Sequence, residues 1–441
     1  MKISILFLLI VILTVPSINI SAQRKLPLSE AISLTLNQNP NIKKGANNLE
    51  VTIEAIKPAW GALIPTFGLN GDFNWAHTNY NSNAASIYTG IPNSPSFSSE
   101  NRNWSLSAGG DVTLFDGLSN FAIISSRENS LSSAKYDFEK LKQDLTLQTV
   151  VQYTTIVGYK KLLDFQTEDL KYNRGLTDKI KQMLDIKSIP VSDYYSQQAL
   201  TANSELAYIQ AENNYQKSIV TLLNFLALDV NGSYTFSFDN DDLKDTSAVP
   251  IEFNNLFETA LANRQDYQSE KYKVKISENL VTSSLGGVYP SLSGNYGLST
   301  SASSPGRLFN QTTFGVGLSL SIPVFAQFNT EYSIEISQVN LKNSNEDLTA
   351  LERQIKTDVK NAYLDLETAK KQLDVSNTAI ISAKESWDAK KETYTLGAAT
   401  YLDQQLTYNN YLQAVYTNIS NQYNYIIAQY TVISVIGKLN K

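Results

Sequence analysis

The chain has 441 residues, with 36 lysines and arginines against 42 aspartates and glutamates, one histidine and no cysteine. The missing cysteine excludes disulfides, thiolate metal sites, cysteine nucleophiles and a cysteine-linked lipid anchor. The lone His77 cannot build a histidine metal cluster, and the mildly acidic balance argues against nucleic acid as a partner.

Residues 1–22 read as a secretory signal peptide. Lys2 gives a basic start, Ile5 to Leu13 an apolar core, and Ile20-Ser21-Ala22 a small-residue exit before Gln23. An N-terminal membrane anchor is the alternative, but the apolar stretch is short and broken by Thr14, Pro16 and Ser17. No later segment approaches the roughly 18–20 unbroken apolar residues of a membrane helix.

The mature chain reads as one pattern written twice, over 23–228 and 251–441. A shift of 225 puts Leu36 on Leu261 and Pro65 on Pro290; a shift of 210 puts Phe115 on Phe325, Tyr153 on Tyr363 and Asp193 on Asp403. The change from 225 to 210 leaves 15 extra residues in the first copy, all between Pro65 and Phe115, where a surface loop would take them. Each copy opens with a helical stretch, 28–62 or 251–286.

A pair of alternating segments follows, giving a hairpin over 66–116 in the first copy and 290–325 in the second. Phe67, Leu69, Phe73 and Trp75 alternate with Asn70, Asp72 and Asn74, and Trp104, Leu106, Val112 and Leu114 with Ser105, Ser107, Asp111 and Thr113. In the second copy Leu292, Tyr296 and Leu298, then Phe314 through Val324, alternate with Ser, Asn and Gly. Period 2 predicts strands with one apolar and one polar face, joined by Ser/Asn-rich loops at 76–103, which includes His77, and 299–313. Two amphipathic hairpins over a soluble core would satisfy this pattern. A small-residue polar face and strands of about nine or more residues suit a tilted bilayer crossing better. Four strands cannot close a barrel, and open edges are not tolerated in lipid. A membrane reading therefore requires an oligomer, by strand count a dimer or a trimer. Trp75, Tyr80 and Trp104, at strand ends, are candidates for a membrane-interface belt, with core packing as the alternative.

Proline-free helical patterns follow over 118–186 and 327–396. Apolar residues at 3-4 spacing, such as Leu348, Leu351, Ile355, Val359, Ala362 and Leu366, predict helices packed lengthwise. At 1.5 Å per residue each makes a rod of roughly 100 Å. Each turns at a short break, Lys187-Ser188-Ile189-Pro190 or Leu396-Gly397-Ala398-Ala399, into a second helix, 190–228 or 400–437. The acidic linker 229–250, with Asp239, Asp241, Asp242 and Asp245, joins the copies and suggests a belt partway along the rods. The fold class is thus mainly α with membrane β: four strands per chain for a shared barrel, and long helices for a coiled-coil barrel.

This order, repeated twice, resembles the TolC outer-membrane efflux family over nearly the whole mature chain. Phe115-Asp116-Gly117 is similar to the family signature after the second strand, and Tyr394-Thr395-Leu396-Gly397 through Asp403 to its second tip. The resemblance implies a homotrimer in outer-membrane lipid, with a 12-stranded barrel and a periplasmic helical barrel. The tips, here Ser188, Ile189, Pro190, Gly397, Ala398, Ala399 and Thr400, would dock a periplasmic adaptor protein that couples to an inner-membrane transporter. It also implies a periplasmic gate. Asp193 and Tyr394 match a gating pair, and Asp403 matches an acidic position at the constriction. The chain departs from the pattern at Ala399, where an arginine stands, at Leu406, where a second aspartate stands, and in the first tip, which has no glycine. Capping is the other reading of Asp193 and Asp403, since both lie near helix starts and Thr400 to Asp403 forms a capping box. Packing is the other reading of Tyr394. No acid–base pair, phosphate loop or nucleophile motif appears, so neither cofactor nor catalytic residue is expected. Two readings stand: a passive exit duct for efflux or type I secretion, and a structural or adhesive trimeric coiled-coil protein of the outer membrane.

Overall fold

The computed structural model describes residues 24–237 and 253–439, so the signal-peptide reading of 1–22 and the aspartates at 239, 241, 242 and 245 lie outside the described residues. In the first copy the order is β1 (Arg24–Lys25), α1 (Leu28–Gln38), α2 (Pro40–Glu54), α3 (Ile56–Gly61), β2 (Gly68–Tyr80), α4 (Ser82–Thr89), β3 (Phe97–Phe115), α5 (Ser119–Asp185), α6 (Val191–Phe225) and β4 (Tyr234–Thr235). The second has α7 (Phe253–Asn263), α8 (Gln265–Leu285), β5 (Ser291–Ala302), β6 (Thr312–Ser321), α9 (Asn329–Thr395) and α10 (Tyr401–Val435). Two compact units result: Met1–Pro40 with Leu145–Val249 and Asp365–Thr431, and Asn41–Asp144 with Pro250–Leu364 and Val432–Lys441. Both long helices contribute to each.

Helices α5 and α9 each have 67 residues and α6 and α10 each 35, at an offset of 210. The backbone repeats at the same offset where it turns left-handed: Gly117-Leu118 with Gln327-Phe328, Lys187 with Gly397, and Ala227 with Gly437. Glycine occupies one member of the 117/327, 187/397 and 227/437 pairs and neither Leu118 nor Phe328, so the duplicated geometry is held by flanking hydrogen bonds as well as by glycine's freedom. The expected helix 28–62 is instead broken. Asn39 precedes Pro40, whose ring excludes the helical region for its neighbour, and Asn39 is extended at φ −57° and ψ 130°. Arg264, 225 residues on, makes the same break at φ −66° and ψ 125° without a proline.

β2, β3, β5 and β6 form one antiparallel sheet in that order, a β-hairpin from each copy. The expected loop at 76–103 is a correction. β2 continues through His77 to Tyr80, β3 begins at Phe97, and α4 fills the connection, capped by the Asn81 side chain accepting from Ala84 N–H. His77 is therefore a strand residue opposite Glu100. Register aligns one face across all four strands. Leu69 lies opposite Ala108, Ala108 opposite Leu298 and Leu298 opposite Phe314; Phe73 lies opposite Trp104, and Gly294 is flanked by Val112 and Leu318. The other face carries Asp72 opposite Ser105, and Asn295 flanked by Asp111 and Gly317. Phe314, Val316 and Leu318 are each more than 70 % exposed in the single chain, a large apolar surface with nothing covering it.

Beyond the sheet the packing is in places polar. In the first unit the start of the linker is anchored: β4 pairs in parallel with β1, and the Tyr153 hydroxyl lies 2.8 Å from Leu26 O and 2.9 Å from Ser237 O. In the second unit, serine pairs Ser133–Ser269, Ser277–Ser344 and Ser284–Ser337, at 2.7–2.8 Å, let the helices approach more closely than leucines would. Here too the buried Arg264 guanidinium forks onto Asp266 at 3.0 and 2.6 Å and reaches Asp358 at 3.0 Å. Burial disfavours the charge on Asp266, but the hydrogen bonds and charge of Arg264 outweigh it and hold that carboxyl below its usual range.

Candidate functional site at the helix turns

The two interhelical turns are built alike. α5 ends in a Schellman motif, with Ser188 N–H on Met183 O at 2.9 Å and Lys187 N–H on Leu184 O at 2.8 Å. α9 ends identically, with Ala398 N–H on Thr393 O at 2.9 Å and Gly397 N–H on Tyr394 O at 3.0 Å. The left-handed residue is Gly397 in one and Lys187, at φ 58°, in the other. A side chain there costs about 1 kcal/mol relative to glycine. Lys187→Gly should stabilise the purified protein by about that amount and Gly397→Lys should destabilise it similarly, read by thermal denaturation. A neutral Gly397→Lys would count against a left-handed stop in that turn.

α6 and α10 start just after the turns, behind Pro190 and Thr400. At the second start Thr400 N–H donates to Asp403 Oδ2 at 3.3 Å while Asp403 N–H donates to Thr400 Oγ1 at 3.1 Å, a complete capping box. The Thr400 contacts hold the Asp403 carboxyl below its usual range. Asp193, in the first turn of α6, has a different environment, because its charge acts on two tyrosines. Burial first, and then Asp193, raises the Tyr394 hydroxyl above the usual phenol range, and Tyr401 is raised by burial, Tyr394 and Asp193. Tyr394 and Tyr401 rings are 6.2 Å apart. The structure therefore groups Asp193 with Tyr394 and Tyr401. Leu406 is 60 % exposed, one helical turn after the exposed Leu402.

Behind these residues lies a polar and aromatic seam that sequence reading did not find. Tyr401 and Gln405 of α10 both hydrogen-bond Gln197 of α6, whose side chain is fully buried. Gln404 donates to the Tyr172 hydroxyl at 3.1 Å, and the Tyr408 hydroxyl donates to Asp169. Trp387 stacks on Tyr411 at 5.2 Å and packs on Tyr408 at 5.0 Å. Glutamine and tyrosine at helical spacing carry no period of their own against a polar background, which is why the seam was not visible. The exposed apolar residues Ile186 (75 %) and Leu396 (76 %) were also missed. Their signal was available: they occupy the same position, 210 apart, immediately before each left-handed residue.

The proposed docking residues Ser188, Pro190, Gly397, Ala398 and Thr400 are exposed, and Ile189 and Ala399 half-buried. At the sheet, Trp75 and Trp104 share the apolar face with Phe73, whose ring packs tilted against Trp104 at 4.3 Å. Tyr80 has the opposite strand parity. It packs between Phe97 at 4.8 Å and Tyr88 of α4 at 4.9 Å, closing the hairpin end.

A family model described as "outer membrane efflux protein" matches residues 31–228 and 256–438, one match per copy. The chain is 20 % identical over 421 residues to outer membrane protein TolC of Escherichia coli K12, covering 91 % of this chain and 80 % of that protein. It is 22 % identical over 425 residues to outer membrane protein TolC of Vibrio cholerae, covering 94 % and 91 %. Among solved structures, the CmeC outer membrane channel of Campylobacter jejuni superposes with a TM-score of 0.81 at 17 % identity, covering 93 % of this chain and 85 % of that one.

Proposed function

The chain belongs to the outer membrane efflux protein family and is an outer-membrane efflux channel, and from that premise we propose that it works as a homotrimer, gated at its helix turns and docked there by a periplasmic adaptor of a tripartite pump. The observation that carries a barrel shared between copies is the sheet: four strands, one continuous apolar face and two unpaired edge strands, β2 and β6. Bare edges are forbidden in hydrocarbon, so copies must share strands; two copies would give eight and three give twelve, and the family resemblance favours three. Trp104 to Leu114 runs about 33 Å along β3, which at a typical strand tilt is about the 25 Å apolar band of such barrels. The band ends at Trp75 and Trp104, because the next residues on that face are Arg102, His77 and Glu100, so these two tryptophans form the interface belt. Tyr80 takes no part in that belt.

Asp193 and Tyr394 form the gate, Asp403 faces the constriction while capping α10, and Leu406 makes the constriction partly hydrophobic. Ile186, Leu396 and the flanking tip residues supply the adaptor surface, because two matched apolar side chains more than 70 % exposed need a partner. The family is one of channels, and no catalytic role is proposed for any residue. The experiment that tests the reading is single-channel recording in a planar bilayer, with the mass in detergent measured alongside. A trimer with small, stable openings is expected. A trimer that inserts and never conducts, even with its gate residues removed, would favour the structural coiled-coil stalk. Leu406→Asp is expected to raise cation preference through the added carboxylate ring. An unmoved reversal potential would put Leu406 away from the lumen.

A further inference from the structure

Beside the turns, within one unit, a cavity of about 300 Å³ opens between α5, α6 and α10. Its wall contains Asp169, which is 5 % exposed, yet no basic side chain neutralises it among the described residues. The nearest bases along α5 are engaged elsewhere: Lys171 with Glu168 at 3.8 Å and Arg174 with Glu205 at 3.0 Å. Asp169 receives neutral donors only, Asn173 Nδ2 at 3.0 Å and the Tyr408 hydroxyl. A buried carboxylate held this way keeps most of its charge unanswered, which is costly unless a cation completes it. A second, independent feature lies in the same wall. Gln404 is 4 % exposed, its amide nitrogen is committed to Tyr172, and its Oε1 has no hydrogen-bond partner among the described residues.

Three tyrosines, Tyr172, Tyr408 and Tyr416, stand among the amide and leucine side chains that make up the rest of the lining. Ring faces attract ammonium groups, and the protein already uses this on Tyr172, where the Lys391 ammonium stands 5.9 Å from the ring centre. One charged acceptor, one orphaned neutral acceptor and these tyrosine rings together match a cation that donates hydrogen bonds and carries a short apolar tail. A bare alkali ion would leave the rings and most of the volume unused. We propose that this cavity is a binding site for a small protonated primary amine, its ammonium hydrogen-bonded to Asp169 and to Gln404 Oε1 and its alkyl chain against the tyrosines. Such a ligand bridges α5 and α10. The assignment does not depend on the gate, because it concerns the interior of one protomer and is read by binding rather than current.

The test is isothermal titration calorimetry of the purified full-length protein in detergent, with propylammonium, tetramethylammonium and sodium chlorides at matched ionic strength. Propylammonium should bind saturably, with a Kd on the order of 1 mM, and tetramethylammonium, which has no N–H to donate, at least about tenfold more weakly. Asp169→Asn, which keeps the shape and removes the charge, and Gln404→Met, which removes the free acceptor together with the hydrogen bond to Tyr172, should each weaken propylammonium about tenfold or more. Either variant suffices if the other fails to fold. No saturation by propylammonium, undiminished binding in the variants, or equal binding by sodium would each overturn the proposal.

Discussion

With Asp193 and Tyr394 both replaced by alanine, the channel is expected to conduct several-fold more current per opening than the parent protein. The two residues sit at the facing ends of different helix pairs, Asp193 in the first turn of α6 and Tyr394 in the last turn of α9. The Tyr394 hydroxyl is raised by burial and by the Asp193 charge, so it stays protonated and available as a donor at every pH the periplasm reaches. Many bonds along the seam, such as those from Gln404 and Tyr408, lie deeper in the packing and should keep the helices folded when these two are lost. The variant therefore separates opening from unfolding: its melting temperature should fall little while conductance rises. Unchanged conductance in a trimer that inserts normally would remove both residues from the gate. Because Ala399 and Leu406 carry no charge, neither adds an ion pair that opening must break, and the double replacement should have most of the available effect.

Arg264→Ala is expected to destabilise the protein by about 3–5 kcal/mol, since it strands Asp266 and Asp358 without their shared cation. Arg264→Lys should recover only part, because an ammonium cannot reproduce the bidentate fork onto Asp266. The pH dependence has a definite sign. The Asp266 carboxyl is depressed in the folded state, so its contribution is present above the unfolded carboxylate range near about 4 and is lost as pH falls through the lower folded value. Thermal denaturation of Asp266→Asn should thus show a large deficit against the parent at pH 7 that shrinks below about pH 4. A deficit independent of pH would mean that packing, not charge, accounts for the loss.

The strands, the long helices and the duplication were legible because each rests on a period that a side chain either fits or breaks. Phe314, Val316, Leu318 and Leu320 alternate through β6 because one side of that strand faces an apolar medium. The positions of the turns were legible because each proline-free helical pattern ends at a short break, with Pro190 in the first copy and Gly397 in the second. What was not legible follows from interactions without a period. His77 belongs to a strand because its partner Glu100 lies 23 residues away, and a local Asn/Ser-rich composition outweighed that pairing. The anchor of β4 on β1 depends on Tyr153, which reads as one apolar helical residue among many. Of the residues singled out from the sequence at the turns, Asp193 and Tyr394 come together electrostatically, while Asp403 engages Thr400 in a cap. The buried Asp169 was passed over because a carboxylate on a long helix normally marks a solvated face.

Four helices of two lengths, 67 and 35 residues, each appear twice. Sequence drift in such a molecule is free in kind and nearly forbidden in number. A residue added to α5 alone would rotate everything beyond it by about 100° and advance it by about 1.5 Å, while α6, α9 and α10 kept their old register. Length can change only if all four rods change together, by increments that restore every facing pair. The hairpin end carries no such coupling, and there alone the two copies have parted, by the 15 residues that hold α4. The duplication thus acts as a ruler, and insertions that survive in relatives of this chain should collect where nothing opposite them has to move.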